Sequence, residues 1–212
     1  MKIALVTGGA RGIGAATVVK FARNGYTVIL NYNKSEDSAR NLKTALSSEG
    51  CDVHLFKADL KNVDEISAMF DFVKKYFKRL DVLVNNAGVS LTRQLQDVTE
   101  EEYDELMSVN VKGAYFCCKH AFPLLAQSER PAMVNVSSIW GVKGSSCESV
   151  YSMSKHALLG LTRSLACELE QTGVKVNAVC PPIVRTDMCS GYSQTEIEEF
   201  CKENDARIYT AA

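Results

Sequence analysis

Apolar and amphipathic stretches alternate along most of the chain. Short runs of β-branched and other apolar residues recur at 2–6, 27–30, 53–58, 82–84, 133–136 and 174–179. Longer segments with a helical spacing of apolar positions separate them, at 15–24, 35–49, 63–77, 100–126 and in the stretch around 151–155. This alternation predicts an α/β fold, a single doubly wound parallel sheet of six strands with helices on both faces.

The composition is that of an ordinary soluble globular protein, with 46% hydrophobic and 23% charged residues in 212. This length fits one domain with a substantial core. The net charge of −1 gives no general attraction to nucleic acid or anionic membranes. No apolar run approaches the ~18 residues of a membrane span. Because a strand begins at the N-terminus and its apolar part is short, we expect no signal peptide. Together with the net charge and the short apolar runs, this predicts a cytoplasmic protein with no membrane or nucleic-acid partner.

Eight cysteines raise the question of metal or redox chemistry. None forms C-x-x-C, no Cys/His spacing is typical of a zinc site, and the histidines are not clustered. Cys117, Cys118, Cys167 and Cys180 fall in apolar runs, where a free cysteine behaves as a small hydrophobe. We therefore predict reduced, structural cysteines and no metal site.

A glycine-rich turn follows the first strand and precedes the first helix. It reads Thr7-Gly8-Gly9-Ala10-Arg11-Gly12-Ile13-Gly14. Strand, glycine loop and helix in this order form a turn that brings backbone amides to a pyrophosphate. A P-loop is excluded because Ala15 and Ala16 stand where Lys-Ser/Thr is required. A dinucleotide site is favoured, and a tight turn without a ligand is the alternative.

The end of the second strand bears on the choice of cofactor. NAD enzymes place a carboxylate there for the ribose 2′-hydroxyl, but this chain has Asn31-Tyr32-Asn33-Lys34. With Arg11 in the glycine loop, this end favours the 2′-phosphate of NADP over NAD. The alternative is that Arg11 and Lys34 are only solvated surface residues.

The stretch 137–155 carries the candidate catalytic chemistry. Tyr151 and Lys155 are four residues apart in a predicted helix, so their side chains share one face. A nearby ammonium favours the phenolate and lowers the pKa of a tyrosine, which suits proton exchange with a substrate oxygen. Ser138 ends the fifth strand and could donate a hydrogen bond to the same oxygen. Most isolated Y-x-x-x-K pairs are solvated helix faces. Whether this pair is catalytic therefore depends on the residues at the ends of the other predicted strands.

Polar residues and glycines stand at several predicted strand ends. Asp59 follows the third strand, and Asn85-Asn86-Ala87-Gly88 follows the fourth. Ligands of parallel α/β sheets bind outside the carboxyl ends of the strands. Asn110 lies within the long helical segment, where its side chain could kink the helix. The convergence of these residues with the glycine loop and Ser138 predicts one active-site cleft.

Together these motifs resemble the short-chain dehydrogenase/reductase family over nearly the whole chain. The family's T-G-x-x-x-G-x-G corresponds to Thr7–Gly14 and its N-N-A-G to Asn85–Gly88. The resemblance implies a Rossmann-like fold and a catalytic set of Asn110, Ser138, Tyr151 and Lys155. It implies that Asp59 contacts the adenine, Asn86 the adenosine-side ribose region, Lys155 the nicotinamide ribose and Thr186 the carboxamide, while Asn110 holds a water that links Lys155 to solvent. The cofactor-binding set that follows from motif and resemblance is Thr7, Gly8, Gly9, Arg11, Gly12, Ile13, Gly14, Asn31, Asn33, Asp59, Leu60, Asn86, Ala87, Gly88, Tyr151, Lys155, Val184 and Thr186.

Within the family, three sequence motifs are most similar to those of the 3-oxoacyl-[acyl-carrier-protein] reductases of fatty acid synthesis. They are T-G-G-A-R-G-I-G, N-A-V-C-P and R-T-D-M. The resemblance implies an NADP(H)-dependent carbonyl reductase with a small-molecule or acyl-carrier-protein-bound substrate. Sugar, polyol and steroid dehydrogenases share most of the motifs and stay open as alternatives. So does a nucleotide-binding regulatory protein without turnover.

Two features depart from the family pattern. Pro181 is followed by Pro182 instead of glycine, which fixes the backbone before Thr186. Beyond Cys180 the only regular pattern is the helical spacing of 196–202, and family members typically continue through a seventh strand. We expect one domain over 1–212, with 181–212 as a lid on the substrate side and a short C-terminal end. We also expect no seventh strand, and either a homo-oligomer formed through the helices bearing Asn110 and Tyr151 or a chain that extends past Ala212.

Overall fold

A computed structural model of the protein describes residues 1–186, 193–203 and 208–210. A six-stranded, all-parallel sheet forms its centre, with strand order β3-β2-β1-β4-β5-β6. The strands are β1 (Lys2–Val6), β2 (Tyr26–Tyr32), β3 (Val53–Lys57), β4 (Val82–Asn85), β5 (Ala132–Val136) and β6 (Lys175–Val179). The predicted α/β fold is confirmed, and each predicted run of apolar residues is a strand of this sheet.

Alternate residues of one strand pack on opposite faces of the sheet. In β1, Ile3 and Leu5 join one core cluster, whereas Ala4 and Val6 join another. The first cluster includes apolar residues of the third and fifth helices, and the second includes those of the first two helices. Both faces of a parallel sheet must be covered, which explains why these strands are apolar without interruption.

The helices lie close to their predicted positions. They are α1 (Gly12–Arg23), α2 (Glu36–Ser48), α3 (Val63–Phe77), α4 (Glu100–Met107), α5 (Ala114–Leu125), α6 (Ser149–Glu168) and α7 (Gln194–Glu203). Local signals fix several ends. The Asn62 side chain accepts the Asp64 N–H at the start of α3, and Thr99 and Glu102 form a capping box at the start of α4.

The long helix predicted over 100–126 is interrupted in its middle. Residues Ser108–Gly113 form a π-helical segment between α4 and α5, and Asn110 lies within it. Such single-turn insertions of extra backbone are frequent at functional sites. The interruption thus falls at the residue that was expected to disturb the helix.

Two short strands follow β6, which the sequence analysis did not anticipate. β7 (Val184–Arg185) pairs in parallel with β8 (Tyr209–Thr210) as a separate two-stranded sheet. The expectation of no strand beyond Cys180 is therefore wrong, although the described residues add no seventh strand to the main sheet. Strands of two residues are too short to produce an alternating pattern. The predicted helix over 196–202 is confirmed as α7, in which Ile197 is buried.

No helix in the described ranges is long and apolar enough to cross a membrane. Those ranges also contain no group of three or more His, Cys, Asp or Glu side chains arranged to hold a metal ion.

Candidate active site

A cleft of about 340 Å³ opens along the carboxyl ends of the central strands. Its walls come from the loops after β1, β2, β3, β4 and β5, together with the first turns of α6. Most predicted cofactor residues line it: Gly8, Arg11, Gly12, Ile13, Gly14, Asn31, Asn33, Asp59, Leu60, Asn86, Ala87, Gly88, Tyr151, Lys155 and Thr186. The fold thus brings together residues from five separate loops, as the strand order requires.

The glycine loop has a backbone shape that residues with side chains rarely adopt. Gly8 and Gly12 have φ values of +60° and +53°, a region that side chains disfavour. A Cβ on Gly14 would lie 2.2 Å from the Gly8 carbonyl oxygen. This close approach brings the start of α1 against the loop and leaves a cradle of backbone.

The amino end of α1 is suited to an anion. Its N-cap residue Arg11 makes no side-chain capping bond, and its first turn contains no acidic residue. Amides at a helix start carry partial positive charge and bind phosphate groups. A dinucleotide pyrophosphate therefore fits this cradle in shape and in charge.

Two predicted cofactor residues shape the loop from behind. The Thr7 hydroxyl accepts the N–H groups of Asn86 and Ala87 at 3.0 Å and donates to the Val84 carbonyl at 3.3 Å. A Cβ on Gly9 would lie 2.9 Å from a Leu30 side-chain carbon. Neither Thr7 nor Gly9 lines the cleft, so their contribution is to hold the loop in place.

The end of β2 presents no carboxylate to the cleft. Its lining residues there are Asn31, Tyr32, Asn33, Lys34 and Ser35, with Arg11 from the glycine loop also in the lining. The buried Asn31 amide is engaged inside the protein, since it accepts the Gly8 N–H at 3.3 Å and donates to the Ala58 carbonyl at 3.1 Å. Lys34 and Arg11 are exposed. This surface is suited to an anionic group.

An ion pair borders the cleft beside Asp59. The Asp59 carboxylate accepts the Lys61 N–H at 3.0 Å, and the Lys61 ammonium lies 3.3 Å from Glu105 on α4. The loop after β3 is thereby attached to the helix that leads into the π-helical segment. Lys61 and Glu105 both line the cleft, and no motif in the sequence pointed to either residue.

Tyr151 and Lys155 lie in the first two turns of α6, as predicted, and both are buried. The Lys155 ammonium lies 5.6 Å from the centre of the Tyr151 ring and donates to the Val136 carbonyl at 3.0 Å. Burial lowers the pKa of Lys155 from 10.5 to about 8, and the neighbouring Cys180 acts in the opposite direction. A lysine with this pKa exchanges its proton readily near neutral pH.

Ser138 caps the short 3₁₀ turn Ile139–Gly141 at the end of β5. Its hydroxyl oxygen accepts the Trp140 N–H at 3.2 Å, and the residue is buried. An accepted bond occupies a lone pair and leaves the hydroxyl proton for another acceptor. Trp140 also packs in the apolar cluster that contains Tyr151.

The Asn110 side chain links three elements from within the π-helical segment. Its oxygen accepts the Val89 N–H at 2.9 Å, and its nitrogen donates to the Val89 carbonyl at 2.9 Å and to the Ser154 hydroxyl at 3.0 Å. Ser154 in turn donates to the Tyr151 carbonyl at 2.7 Å. The side chain is thus bonded to the loop after β4 and to α6, and not to its own helix.

The remaining predicted residues lie near the cleft. Thr186 lines it, and a Cβ on Gly12 would be 3.0 Å from the Thr186 methyl carbon, so Pro182 does not displace this residue from the site. Val184 lies in β7 and does not contribute to the lining. Sequence reasoning assigned no role to Ser137, whose hydroxyl faces α6, because a serine at a strand end carries no distinctive signal.

Fold and site together define an enzyme of the nucleotide-dependent oxidoreductase class. Residues 2–197 match the family described as short chain dehydrogenase. The chain belongs to the short-chain dehydrogenase family.

Similar proteins give the same classification. The 3-oxoacyl-[acyl-carrier-protein] reductase FabG of Staphylococcus aureus is 36% identical over 198 residues, which cover 93% of this chain and 80% of that protein. The hydroxynaphthalene reductase-like protein Arp2 of Metarhizium majus is 34% identical over 88% of this chain and 70% of that protein. A crystal structure of a short chain dehydrogenase from Burkholderia cenocepacia, in complex with NADP, has a TM-score of 0.92 at 31% identity, covering 99% of this chain and 85% of that one.

Proposed function

We propose that this protein is an NADPH-dependent carbonyl reductase that acts on a 3-oxoacyl thioester, most similar to 3-oxoacyl-[acyl-carrier-protein] reductases. The observation that carries the proposal is the buried Lys155 ammonium, which lies beside Tyr151 and is bonded to Val136 at the wall of a glycine-lined cleft. Its place would be fatty acid synthesis in the cytoplasm.

NADP is the dinucleotide that the cleft fits best. Arg11 from the glycine loop lines the cleft together with Asn33, Lys34 and Ser35 from the end of β2, and no lining residue from that strand end is acidic. Glu36, the nearest carboxylate along the chain, is paired with Arg40 at 2.7 Å and with Lys57 at 3.5 Å. A 2′-phosphate would meet cations and hydroxyls there, whereas an unmodified ribose would lack its usual carboxylate partner. The short chain dehydrogenase from Burkholderia cenocepacia was solved in complex with NADP.

The chemistry of the site follows from four side chains. Bound NADPH would supply the hydride for the carbonyl carbon. The Ser138 hydroxyl would donate to the substrate oxygen, and the Tyr151 phenol would give that oxygen its proton. Lys155 would hold the phenol in its reactive state and resupply the proton, a role that suits a pKa of about 8. Asn110 would keep the loop after β4 against α6.

The substrate assignment rests on relatives and on the surroundings of Tyr151. The FabG relative is a 3-oxoacyl-[acyl-carrier-protein] reductase. Leu91, Val98 and Trp140 are partly buried and pack against the apolar cluster that contains Tyr151. Apolar surroundings beside Tyr151 suit the acyl portion of a 3-oxoacyl thioester better than the hydroxyl-rich chain of a sugar.

An association of subunits forms part of the proposal. We infer a homo-oligomer formed through the helices that bear Asn110 and Tyr151. Exposed apolar side chains on these helices support it, namely Tyr103, Tyr115 and Met153, which are 39%, 50% and 42% exposed. Exposed apolar side chains on surface helices are the material from which subunit interfaces are made.

The decisive experiment is oxidation of NADPH, followed at 340 nm with purified protein and a panel of substrates. Acetoacetyl thioesters of acyl carrier protein and of a small thiol represent the proposed class, and hydroxynaphthalene-derived ketones, diketones, sugars and steroids represent the others. Preference for the thioesters supports the proposal. A preference for another ketone redirects the substrate assignment. NADPH binding without turnover on any of them favours a regulatory nucleotide-binding protein.

A further inference from the structure

Two consecutive residues at the end of β5 form hydrogen bonds with Lys155, one with its side chain and the other with its backbone. The Val136 carbonyl accepts a hydrogen bond from the Lys155 ammonium at 3.0 Å. The neighbouring Ser137 hydroxyl donates to the backbone carbonyl of Lys155 at 2.8 Å. The side chain and the backbone of one lysine are therefore both fixed by the same strand end.

The Ser137 bond is buried and adds to the helix without replacing part of it. Ser137 is 4% exposed, so water does not compete for its hydroxyl. In an α-helix each carbonyl already accepts the N–H four residues later, and a carbonyl oxygen has a second lone pair. The bond from Ser137 uses that second position and joins α6 to the sheet at the level of Lys155.

Gly141 makes room for this contact. A Cβ at Gly141 would lie 2.3 Å from the Ser137 hydroxyl oxygen and 2.8 Å from the Lys155 carbonyl oxygen. The 3₁₀ turn that begins after Ser138 therefore presses directly on the bond. The same turn is attached to the segment that follows β6, because the Ile139 N–H donates to the Pro181 carbonyl at 2.9 Å.

We infer that Ser137 is a positioning residue for the proposed reduction, with Gly141 as the neighbour that permits its contact. Ser137 sets the position of Lys155 along α6 relative to Val136 and to the adjacent Ser138 hydroxyl. This inference rests on the proposed function, since Lys155 and Ser138 act in that reaction. Displacements of about 1 Å at a reacting group can cost about a hundredfold in rate, so a single fixed hydrogen bond at this point matters.

The chain offers a matched control in Ser152. This serine lies on α6 between Tyr151 and Lys155 and is 7% exposed, and its hydroxyl has no hydrogen-bond partner among the described residues. Ser137→Ala and Ser152→Ala therefore each remove one hydroxyl oxygen from a buried site. Only Ser137→Ala removes a bond to the lysine.

The test combines turnover with a readout that does not need turnover. NADPH-dependent reduction of an acetoacetyl thioester gives kcat and its pH profile. Competitive labelling of the apoprotein with acetic anhydride at several pH values, quantified by mass spectrometry at Lys155, gives the pKa of this amine. Thermal unfolding followed by circular dichroism shows that each variant is folded.

For Ser137→Ala we expect kcat to fall about tenfold and the labelling pKa of Lys155 to rise toward its ordinary value. A lysine released from its fixed position reaches water, which favours its charged form. Ser152→Ala should keep both quantities, and Gly141→Ala should change both in the same direction as Ser137→Ala.

Unchanged labelling and unchanged kcat in Ser137→Ala would overturn the inference. A fall in kcat with an unchanged labelling pKa and pH profile would overturn it as well, since that result describes general loosening. If no substrate is turned over but the labelling pKa still moves in Ser137→Ala and not in Ser152→Ala, the proposed function fails while the positioning of Lys155 by Ser137 stands.

Discussion

The Lys155 ammonium donates a hydrogen bond to the Val136 carbonyl at 3.0 Å, in a site where the lysine is 4% exposed. A single carbonyl stabilises a buried charge less well than water does. Burial accordingly lowers the pKa of Lys155 from 10.5 to about 8. The protein holds this residue at a cost in stability, which is reasonable only where the position serves the reaction.

The first prediction concerns the pH dependence of stability. Between pH 8 and 10.5 the unfolded chain keeps the Lys155 proton while the folded apoprotein releases it, so this group makes the free energy of unfolding rise with pH. This pKa shift corresponds to roughly 3 kcal/mol of the free energy of unfolding. The folded protein is destabilised by the whole amount below pH 8, where the buried lysine is charged, and the penalty disappears above pH 10.5. In Lys155→Met the rise from this group should vanish, and the apoprotein should be more stable at pH 7. Urea unfolding of both proteins at pH 7 and pH 10 gives the change in the free energy of unfolding between the two pH values. An equal change in the parent protein and in Lys155→Met would contradict the prediction.

The second prediction concerns the phenol. Tyr151→Phe removes only the hydroxyl, so we expect NADPH to bind as before while kcat falls by about 10²–10⁴-fold, the usual contribution of a general acid. Steady-state assays and fluorescence titration of NADPH measure the two quantities. Tyr76→Phe, at a residue 60% exposed on α3, is the control and should match the parent. Near-native turnover in Tyr151→Phe would exclude the proposed mechanism.

The third prediction concerns the choice of cofactor. The parent protein should bind NADPH more tightly than NADH, because Arg11 of the glycine loop and Lys34 after β2 line the cleft and the end of β2 supplies no acid. Arg11→Ala should weaken NADPH binding about tenfold and leave NADH almost unchanged, since charge-assisted bonds to a phosphate would be lost. Calorimetric titration with both cofactors tests it, with the exposed Arg163→Ala on α6 as control. Equal affinities in the parent protein would refute the preference.

The fourth prediction concerns the space between Asn110 and Lys155. A Cβ on Gly88 would lie 3.3 Å from both the Asn110 side-chain oxygen and the Lys155 ammonium. Gly88→Ala should therefore displace one of these groups by a few tenths of an ångström and lower kcat about tenfold.

Gly160→Ala is the matched control for this change. A Cβ there meets nothing within 4 Å, and the residue is exposed within α6. It should keep kcat and raise the free energy of unfolding by about 0.5–1 kcal/mol, because alanine loses less backbone entropy in a helix. If both variants keep full activity, the space between Asn110 and Lys155 has no role in turnover.

The sequence by itself determined the features that depend on neighbours along the chain. Six apolar runs separated by helical periodicity gave the sheet, because a strand buried on both faces needs no alternation. Positive φ at Gly8 and Gly12 admits few residue types, so the cofactor loop is visible in the sequence. The four-residue spacing of Tyr151 and Lys155 places both on one face of α6 for the same local reason.

Tertiary structure alone decided how the polar side chains are used. Asn31 and Asn110 look equally available in the sequence, yet both amides are engaged in bonds between elements that are distant along the chain. The pairing of β7 with β8 likewise leaves no periodic trace. The hydrogen bond from the Ser137 hydroxyl to the Lys155 carbonyl joins residues 18 positions apart. It forms because β5 and α6 pack with Gly141 between them. Hydrogen bonds of this kind depend on packing in three dimensions, which local patterns of hydrophobicity do not encode.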